Sequence, residues 1–542
     1  MMKKMALLAA GLLLAAAGTA SAYEAQLKPF ADLALKDWSE DAVYSLSALG
    51  VIEGYEDLTY RPNDSLSREA FIKLLVNAAR PDAGNVPSEA GAKLTDVPAE
   101  RWSYPYINAA LNKQWIDFMP DASGALRPEL AVKREEVAAA IGKYLLSLET
   151  SDVAKRWTEG EWTKERELRR FSDHGAIGES LAPYVYFAVH QGIMEGDASG
   201  FRPASSLTRK EAAATIYRLL NAGIAQRKLE VTGFYAIRSY PAIQRMPLLD
   251  RVAFGWSRLY YEGGGSAKLD TKSTEYRFPD SWQEPINAAA RAKLGKELMI
   301  FATEPRDRVK EFLRDAAARK SFVESLKSVL SESGEAFTGV CLDLEGLKEA
   351  DAAADYVAFL REVKAGLGSK TLTVAVPPTY YYKGYDLRGI GEVADSIILM
   401  AYDFTHQDSG LPSAPLPLVS DTVKQALLSV PKEKLVLGIS KQANQWVTTG
   451  GKVALAQPDI AEVEKRMASP GIALNRTYPY FLKQIAFQDE RGSHTIYYED
   501  ADSIAKKLWL AKYYGLKGVS LWHMGNVTAA DWDTIAKRAK TQ

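Results

Sequence analysis

Two acidic residues on one face of a short strand are the first feature of this chain with chemical meaning. The segment Thr338-Gly339-Val340-Cys341-Leu342-Asp343-Leu344-Glu345-Gly346 reads as that strand. Side chains alternate along a strand, so Cys341, Asp343 and Glu345 share one face while Val340, Leu342 and Leu344 share the other. The aliphatic set suits an outer, helix-covered side, which turns the polar set inward with the Cα atoms of Asp343 and Glu345 about 7 Å apart. Carboxylates that close in a partly dry cleft push their pKa values apart, which leaves one able to act as an acid near neutral pH. A strand end with two solvated acids is the plain alternative. A second run, Leu399-Met400-Ala401-Tyr402-Asp403, puts Met400 and Tyr402 on one face, with the Tyr402 hydroxyl able to donate a hydrogen bond into a cleft. A third, Gly518 to His523, ends in Trp522, a flat apolar surface on which a sugar ring can stack. Met400 and Trp522 would otherwise be core filling.

These runs belong to a regular series. From Leu229 onward short apolar segments alternate with helical ones: Val231–Ile237, Val252–Trp256, Leu298–Thr303, Thr338–Leu344, Leu372–Pro377, Ile397–Tyr402, Leu435–Ile439 and Val519–Trp522. Amphipathic stretches such as Arg306–Leu330, Ala350–Leu367 and Thr422–Ser429 lie between several of them. Eight strands with intervening helices predict an α/β fold, a (β/α)8 TIM barrel over residues 229–540. A doubly wound open sheet is disfavoured because no Gly-rich phosphate loop follows the first strand. In such a barrel the chemistry sits at the C-terminal ends of the strands, where Glu345, Tyr402 and Trp522 fall. Lys441 to Lys517 has room for an inserted subdomain with strands at Gln484–Gln488 and Thr495–Tyr498, able to wall one side of a cleft. Tyr380-Tyr381-Tyr382 after the fifth strand would line a cleft or pack on the barrel rim.

The N-terminal half follows a different plan, repeated three times. Phe30-Ala31-Asp32, Leu94-Thr95-Asp96 and Phe171-Ser172-Asp173 each open a segment. An amphipathic helix follows, then Arg61-Pro62, Arg127-Pro128 or Arg202-Pro203, then a second helix starting near Arg68, Arg134 or Arg209. Proline stops the preceding element, and Ser67 and Thr208 can cap the helices that follow. One such unit cannot bury its apolar face alone, which predicts a packed α-helical bundle of repeats over 28–80, 94–146 and 171–222. An Arg at a helix start does not complement the helix dipole. Placed three times beside helix amide groups, it reads as an anion-binding fork, with ordinary surface arginines as the bland reading. Residues 80–93 read as a linker, and 147–170 as a charged insertion forming an exposed helix.

Composition narrows the function classes. The chain has 542 residues, enough for three or four domains at about 150 residues each. A hydrophobic fraction of 47% with 25% charged residues is that of a globular protein, and a net charge of -1 gives no excess to attract nucleic acid. A lone cysteine, Cys341, excludes an intrachain disulfide framework, and the five histidines form no HExxH pattern, so no metal is expected. Lys3 and Lys4, the apolar run from Met5 to Gly18 and Ala20-Ser21-Ala22 read as a signal peptide over residues 1–22. That predicts an exported protein with no transmembrane anchor once the signal is removed.

At this point two resemblances become specific. The three N-terminal copies resemble S-layer homology repeats, a family that forms a three-pronged helical bundle on secondary cell-wall polysaccharide. Its Thr-Arg-Ala-Glu motif maps onto Thr208, Arg209, Lys210 and Glu211. It reads Ser67-Arg68-Glu69-Ala70 in the first copy and Lys133-Arg134-Glu135-Glu136 in the second. The resemblance implies polysaccharide contacts at Arg68, Arg134 and Arg209. The C-terminal portion resembles the family 18 glycoside hydrolases, closest to their bacterial cell-wall and spore-associated branch. The family's D-x-x-D-x-D-x-E signature falls on Thr338, Cys341, Asp343 and Glu345, so its first two Asp positions are replaced; Met400, Tyr402, Asp403 and Trp522 match further motifs.

What that resemblance implies is substrate-assisted retaining hydrolysis of glycans containing N-acetylglucosamine, an exception to the usual two-carboxylate scheme, without a cofactor. Glu345 would protonate the leaving oxygen, Asp343 would orient the substrate's acetamido group, and Tyr402 would hold the acetamido oxygen. Trp522, Asp403, Met400 and Tyr235 would contact substrate. The whole is then expected to be a secreted, wall-tethered glycosidase. The alternative from another class is a non-catalytic envelope carbohydrate-binding protein with a degenerate barrel, which Thr338 and Cys341 favour.

Overall fold

A computed structural model describes residues 27–79, 94–273, 276–379, 381–405 and 410–540. The signal-peptide reading at 1–22, the linker reading at 80–93 and Tyr380 lie outside these. The chain divides into two units, the first ending at Ala225 and the second beginning at Gln226. No helix among the described residues is long and apolar enough to cross a membrane.

The first unit is helical. Helices Glu40–Ala48 and Arg68–Ala79, Tyr104–Asn112 and Arg134–Leu146, and Ala182–His190 and Arg209–Ile224 occupy the three similar segments. Each segment is closed by its Asp. Asp32 accepts from the backbone N–H groups of Tyr60 and Arg61, Asp96 from those of Leu126 and Arg127, and Asp173 from those of Phe201 and Arg202. The pattern has a conformational cause: Arg61, Arg127 and Arg202 all sit at positive φ (57°, 54° and 58°), and the paired acceptors stabilise a turn that an unsupported Arg would avoid.

The segments interlock through the strand-like residues ahead of each second helix. Leu66 N–H donates to the Leu207 carbonyl, Val132 N–H to Leu66, and Leu207 N–H to Val132, a closed ring of 2.9, 2.9 and 3.2 Å bonds. Thr208 caps the last helix with a reciprocal Glu211 contact, while Ser67 Oγ accepts from Ala70 N–H at 3.3 Å. The insertion is helical from Ser151 to Arg169 but not simply exposed. Trp157 is buried, its ring 4.9 Å from Phe187, and its indole N–H donates to the Pro183 carbonyl.

The second unit contains an eight-stranded parallel barrel. Its strands are β1 (Glu230–Tyr235), β2 (Arg251–Gly263), β4 (Gly295–Thr303), β5 (Gly339–Glu345), β6 (Thr371–Val376), β7 (Ser396–Leu399), β8 (Leu435–Ser440) and β14 (Gly518–Trp522). They pair in the order β1-β14-β8-β7-β6-β5-β4-β2, and a β1–β2 pairing closes the ring. β3 (Ser266–Asp270) adds antiparallel to the extended end of β2. The expected helix over 306–330 is broken at Asp315, whose side chain caps a fresh helix, Ala316–Glu332.

Between β8 and β14 the chain forms a five-stranded antiparallel sheet: β9 (Asn444–Thr449), β10 (Lys452–Ala456), β11 (Ala473–Thr477), β12 (Leu482–Asp489) and β13 (Gly492–Tyr498). With helix Ile460–Met467 it buries its own cluster of Ala443, Val463, Ile485, Ile496 and Tyr498. This sheet is seated on the barrel by a buried network: Lys441 Nζ donates to Tyr498 Oη (2.9 Å) and Asp531 (2.6 Å).

Candidate active site

Register places the acidic pair. On β5, Cys341 lies opposite Met299, Asp343 opposite Phe301 and Glu345 opposite Thr303 of β4, so the three polar side chains share a face. Deeper on that side Glu297 is fully buried, accepting from Arg251 (2.8 Å) and Thr373 (2.7 Å). Asp343 is 2% exposed, and its Oδ1 is buried with no hydrogen-bond partner among the described residues. Burial, with the adjacent Glu345 charge, pushes Asp343 well above the usual carboxylate range. Glu345 is half-buried and is raised to about 7, first by burial and then by the charge of Asp403. Cys341 is fully buried and its thiol is pushed up by burial, then by Glu297 and Asp343. Thr338 stands at the far end of this segment, exposed, its hydroxyl bonded to the Lys296 backbone, away from the pair.

The chain after β7 supplies the opposite wall. Tyr402 is raised by burial, then by Asp343, Asp403 and Glu345. It lies over Gly438 of β8, where a Cβ would come within 2.9 Å of the Leu399 carbonyl and 3.0 Å of the Tyr402 ring. Only a residue without a side chain leaves room for the ring there. Asp403 has φ 62°, and its backbone N–H donates to Ser413 Oγ at 3.1 Å. Ser413 N–H in turn donates to Asn444 Oδ1 at 2.8 Å, so the inserted sheet reaches the site through Asn444, behind Asp403. Burial raises Asp403, and the Ser413 hydrogen bond opposes that rise.

Glu345, Met400, Tyr402 and Asp403 together line a cavity of 290 Å³, with Thr303, Glu304, Gly346, Lys348, Pro377, Pro378, Tyr381 and Tyr382. Trp522, half-buried at the end of β14, meets Phe234 edge-on at 5.1 Å, and its peptide bond to His523 is cis.

Tyr235 requires a correction. It pairs with Phe254 of β2 and packs on Phe254 (5.5 Å) and Trp256 (5.9 Å) at 2% exposure. Alternation puts it on the face opposite Phe234, away from Trp522, so Phe234 is the β1 aromatic on the site's side.

The three arginines of the first unit occupy equivalent places but are not free forks. Arg68 donates to the Leu126 carbonyl at 2.6 Å and pairs with buried Glu136. Arg134 donates to Phe201 (2.8 Å) and Glu195 carbonyls, and Arg209 to those of Tyr60 (2.8 Å) and Glu53 (3.1 Å). Each thus braces the carbonyl just before the Arg-Pro of another segment. Arg68 is buried, whereas Arg134 and Arg209 remain partly exposed.

Sequence reasoning missed Glu304, Lys348, Pro377 and Ser413. Thr303 and Glu304 were findable, because they end or follow β4 by the strand-end rule that found Glu345. Ser413 lies in a loop without periodicity, and nothing in the sequence points from it to Asp403.

Comparison with known proteins agrees with the fold. The description Glycosyl hydrolases family 18 matches residues 266–526, and S-layer homology domain matches residues 29–72 and 170–213. The Cortical fragment-lytic enzyme of Bacillus subtilis (strain 168) is 31% identical over 213 residues, 36% of this chain and 48% of that protein. The Cortical fragment-lytic enzyme of Bacillus anthracis is 25% identical over 239 residues, 42% of this chain and 54% of that protein. The chain therefore spans about half the length of these curated relatives. The crystal structure of chitinase from Chromobacterium violaceum ATCC 12472 is similar in fold, with a TM-score of 0.50 and 20% identity; it covers 58% of this chain and 100% of that one.

Proposed function

The chain carries a family 18 glycosyl hydrolase domain together with S-layer homology repeats, and from that premise we propose that it hydrolyses glycans containing N-acetylglucosamine at the cell wall, with retention and with help from the substrate. The observation that carries this reading is Glu345, a carboxyl raised to about 7 at the edge of a cavity whose deeper neighbour is the buried Asp343. An acid of that strength is half-protonated at neutral pH and can donate to a departing glycosidic oxygen. The acetamido carbonyl of the substrate then attacks the anomeric carbon. In this reading Asp343, whose buried oxygen has no hydrogen-bond partner among the described residues, accepts the acetamido N–H. Tyr402 holds the acetamido oxygen, Asp403 and Met400 contact the sugar, and Trp522 stacks beneath it.

In the same proposal the segment at 94–146 is a third S-layer homology repeat. The unit grips wall polysaccharide along the partly exposed faces of Arg134 and Arg209, and Arg68 serves as a brace between segments. Tethering raises the effective concentration of the enzyme at an insoluble substrate. The fully buried thiol of Cys341, where a carboxylate would partner Asp343, favours the second reading, a wall lectin without turnover. Incubation of the full chain with peptidoglycan and chito-oligosaccharides, with mass analysis of products, separates the two. Release of fragments ending in N-acetylglucosamine, abolished in Glu345→Gln, supports hydrolysis; binding without release supports the lectin.

A further inference from the structure

The cavity around Glu345 is uneven in charge. Its lining holds the carboxyl groups Glu304, Glu345 and Asp403, and Lys348 as the one cation among the described lining residues. The acids are accounted for. Glu304 accepts from the Lys310 backbone N–H at 3.0 Å, and burial raises the carboxyls of Glu345 and Asp403 above their ordinary values. Lys348 is exposed, and its side-chain ammonium has no hydrogen bond or ion pair among the described residues, whereas Lys310 pairs with Asp351 at 2.8 Å.

The position of Lys348 is nonetheless fixed at its base. Lys383 and Gly384 N–H groups donate to the Lys348 and Leu347 carbonyls at 3.0 Å each. Tyr385 Oη donates to the Leu344 carbonyl at 2.7 Å, which ties the turn after Glu345 to the next loop. The same loop brings Tyr381 and Tyr382 to the cavity wall. A cation on a braced backbone three residues from the acid, lining the same cavity as two tyrosines, suits a sugar stacked on a ring face with an acidic substituent at its edge.

Resting on the hydrolase reading above, we infer that Lys348 is a specificity-determining residue that accepts a carboxylate carried by the amino-sugar strand beside the scissile bond, so that acidic strands are preferred over neutral ones. The carboxylate has two sources in such strands, an ether substituent on the sugar itself or a peptide attached to it. Discrimination by one charged contact changes the ratio of specificities rather than the chemistry.

The test compares kcat/KM of wild type and Lys348→Met on four probes. These are neutral chito-oligosaccharides, peptide-free strands whose sugars carry lactyl-ether carboxylates, the same strands with those carboxyls amidated, and strands bearing intact peptides. Glu345→Gln supplies a binding readout for the same probes without turnover. The expected result is a fall of about tenfold or more in the acidic-to-neutral ratio for Lys348→Met, with amidation producing the same fall in wild type. A fall on peptide-free strands assigns the carboxylate to the sugar ether; a fall confined to peptide-bearing strands assigns it to the peptide. A ratio unchanged by Lys348→Met, with hydrolysis intact, overturns the lysine assignment and leaves the hydrolase reading standing. Failure of wild type to cleave, and of Glu345→Gln to bind, every probe overturns the hydrolase reading and this inference with it.

Discussion

Glu345 and Asp403 face one cavity, and the charge of Asp403 adds to burial in keeping the Glu345 proton in place. The two come from different strand ends, β5 and the segment after β7, so the strength of the acid depends on the closed barrel rather than on the local sequence. Replacing Glu345 by Gln keeps size and removes the proton donor. Hydrolysis should fall by about 10²–10⁴-fold, measured as product release from a chito-oligosaccharide.

The same group sets a pH dependence. Activity requires protonated Glu345, so the rate should fall as pH rises through about 7. Because the folded value lies above the ordinary glutamate value of 4.5, the stability this group contributes is complete below 4.5 and is lost as pH rises to about 7. Melting curves of wild type and Glu345→Gln should therefore diverge over that window, with the variant gaining relative stability toward alkaline pH. Parallel curves would contradict the assignment.

Cys341→Asp places a carboxyl between Glu297 and Asp343, at a fully buried position. Burial and two acidic neighbours raise the thiol already and would act on a carboxyl in the same sense. The variant should melt below wild type, and by more at pH 8 than at pH 5, where the added group is neutral.

Gly438→Ala tests the seat of Tyr402. The added methyl meets the Leu399 carbonyl at 2.9 Å and the Tyr402 ring at 3.0 Å. Overpacking of this kind costs about 1–3 kcal/mol. The expected outcome is a folded barrel by circular dichroism with kcat/KM reduced at least tenfold, because the ring moves and the backbone carbonyl cannot.

Arg68→Ala leaves Glu136 buried without its partner, the two side chains being 11% and 9% exposed. Loss of one member of such a pair costs about 3–5 kcal/mol. Denaturant unfolding should show the helical unit destabilised. Arg209→Ala should lower retention on purified cell walls while costing less stability, since Arg209 is partly exposed and its partners, two carbonyls and the rings of Tyr55 and Tyr60, carry no charge that would be left buried.

Much of the barrel was legible because strand periodicity and strand ends carry their own signal. The eight apolar runs coincide with β1, β2, β4 to β8 and β14, and the alternation around Asp343 put it on the face of Glu345. What failed was parity on β1. Tyr235 ends its strand as Glu345 does, yet the register pairs it with Phe254 on the outer face, and only the β1–β14 pairing reveals that Phe234 is the residue beside Trp522. The bracing contacts of the three arginines were not legible for a related reason. Their recurrence was visible, but the carbonyls that occupy them belong to other segments, and sequence spacing carries no record of such partners. Of the inserted sheet, β12 and β13 alternate strongly enough to be read, while the exposed β10 and β11 do not.

The ring formed by Leu66, Val132 and Leu207 gives the helical unit a property that its separate segments lack. Each member donates to one neighbour and accepts from the other, so removal of any one leaves a bare amide and a bare carbonyl at the centre. Such a tripod has no working two-legged form. If the unit holds the chain on the wall as proposed, proteolysis or gene truncation within it should abolish that retention all at once rather than by thirds.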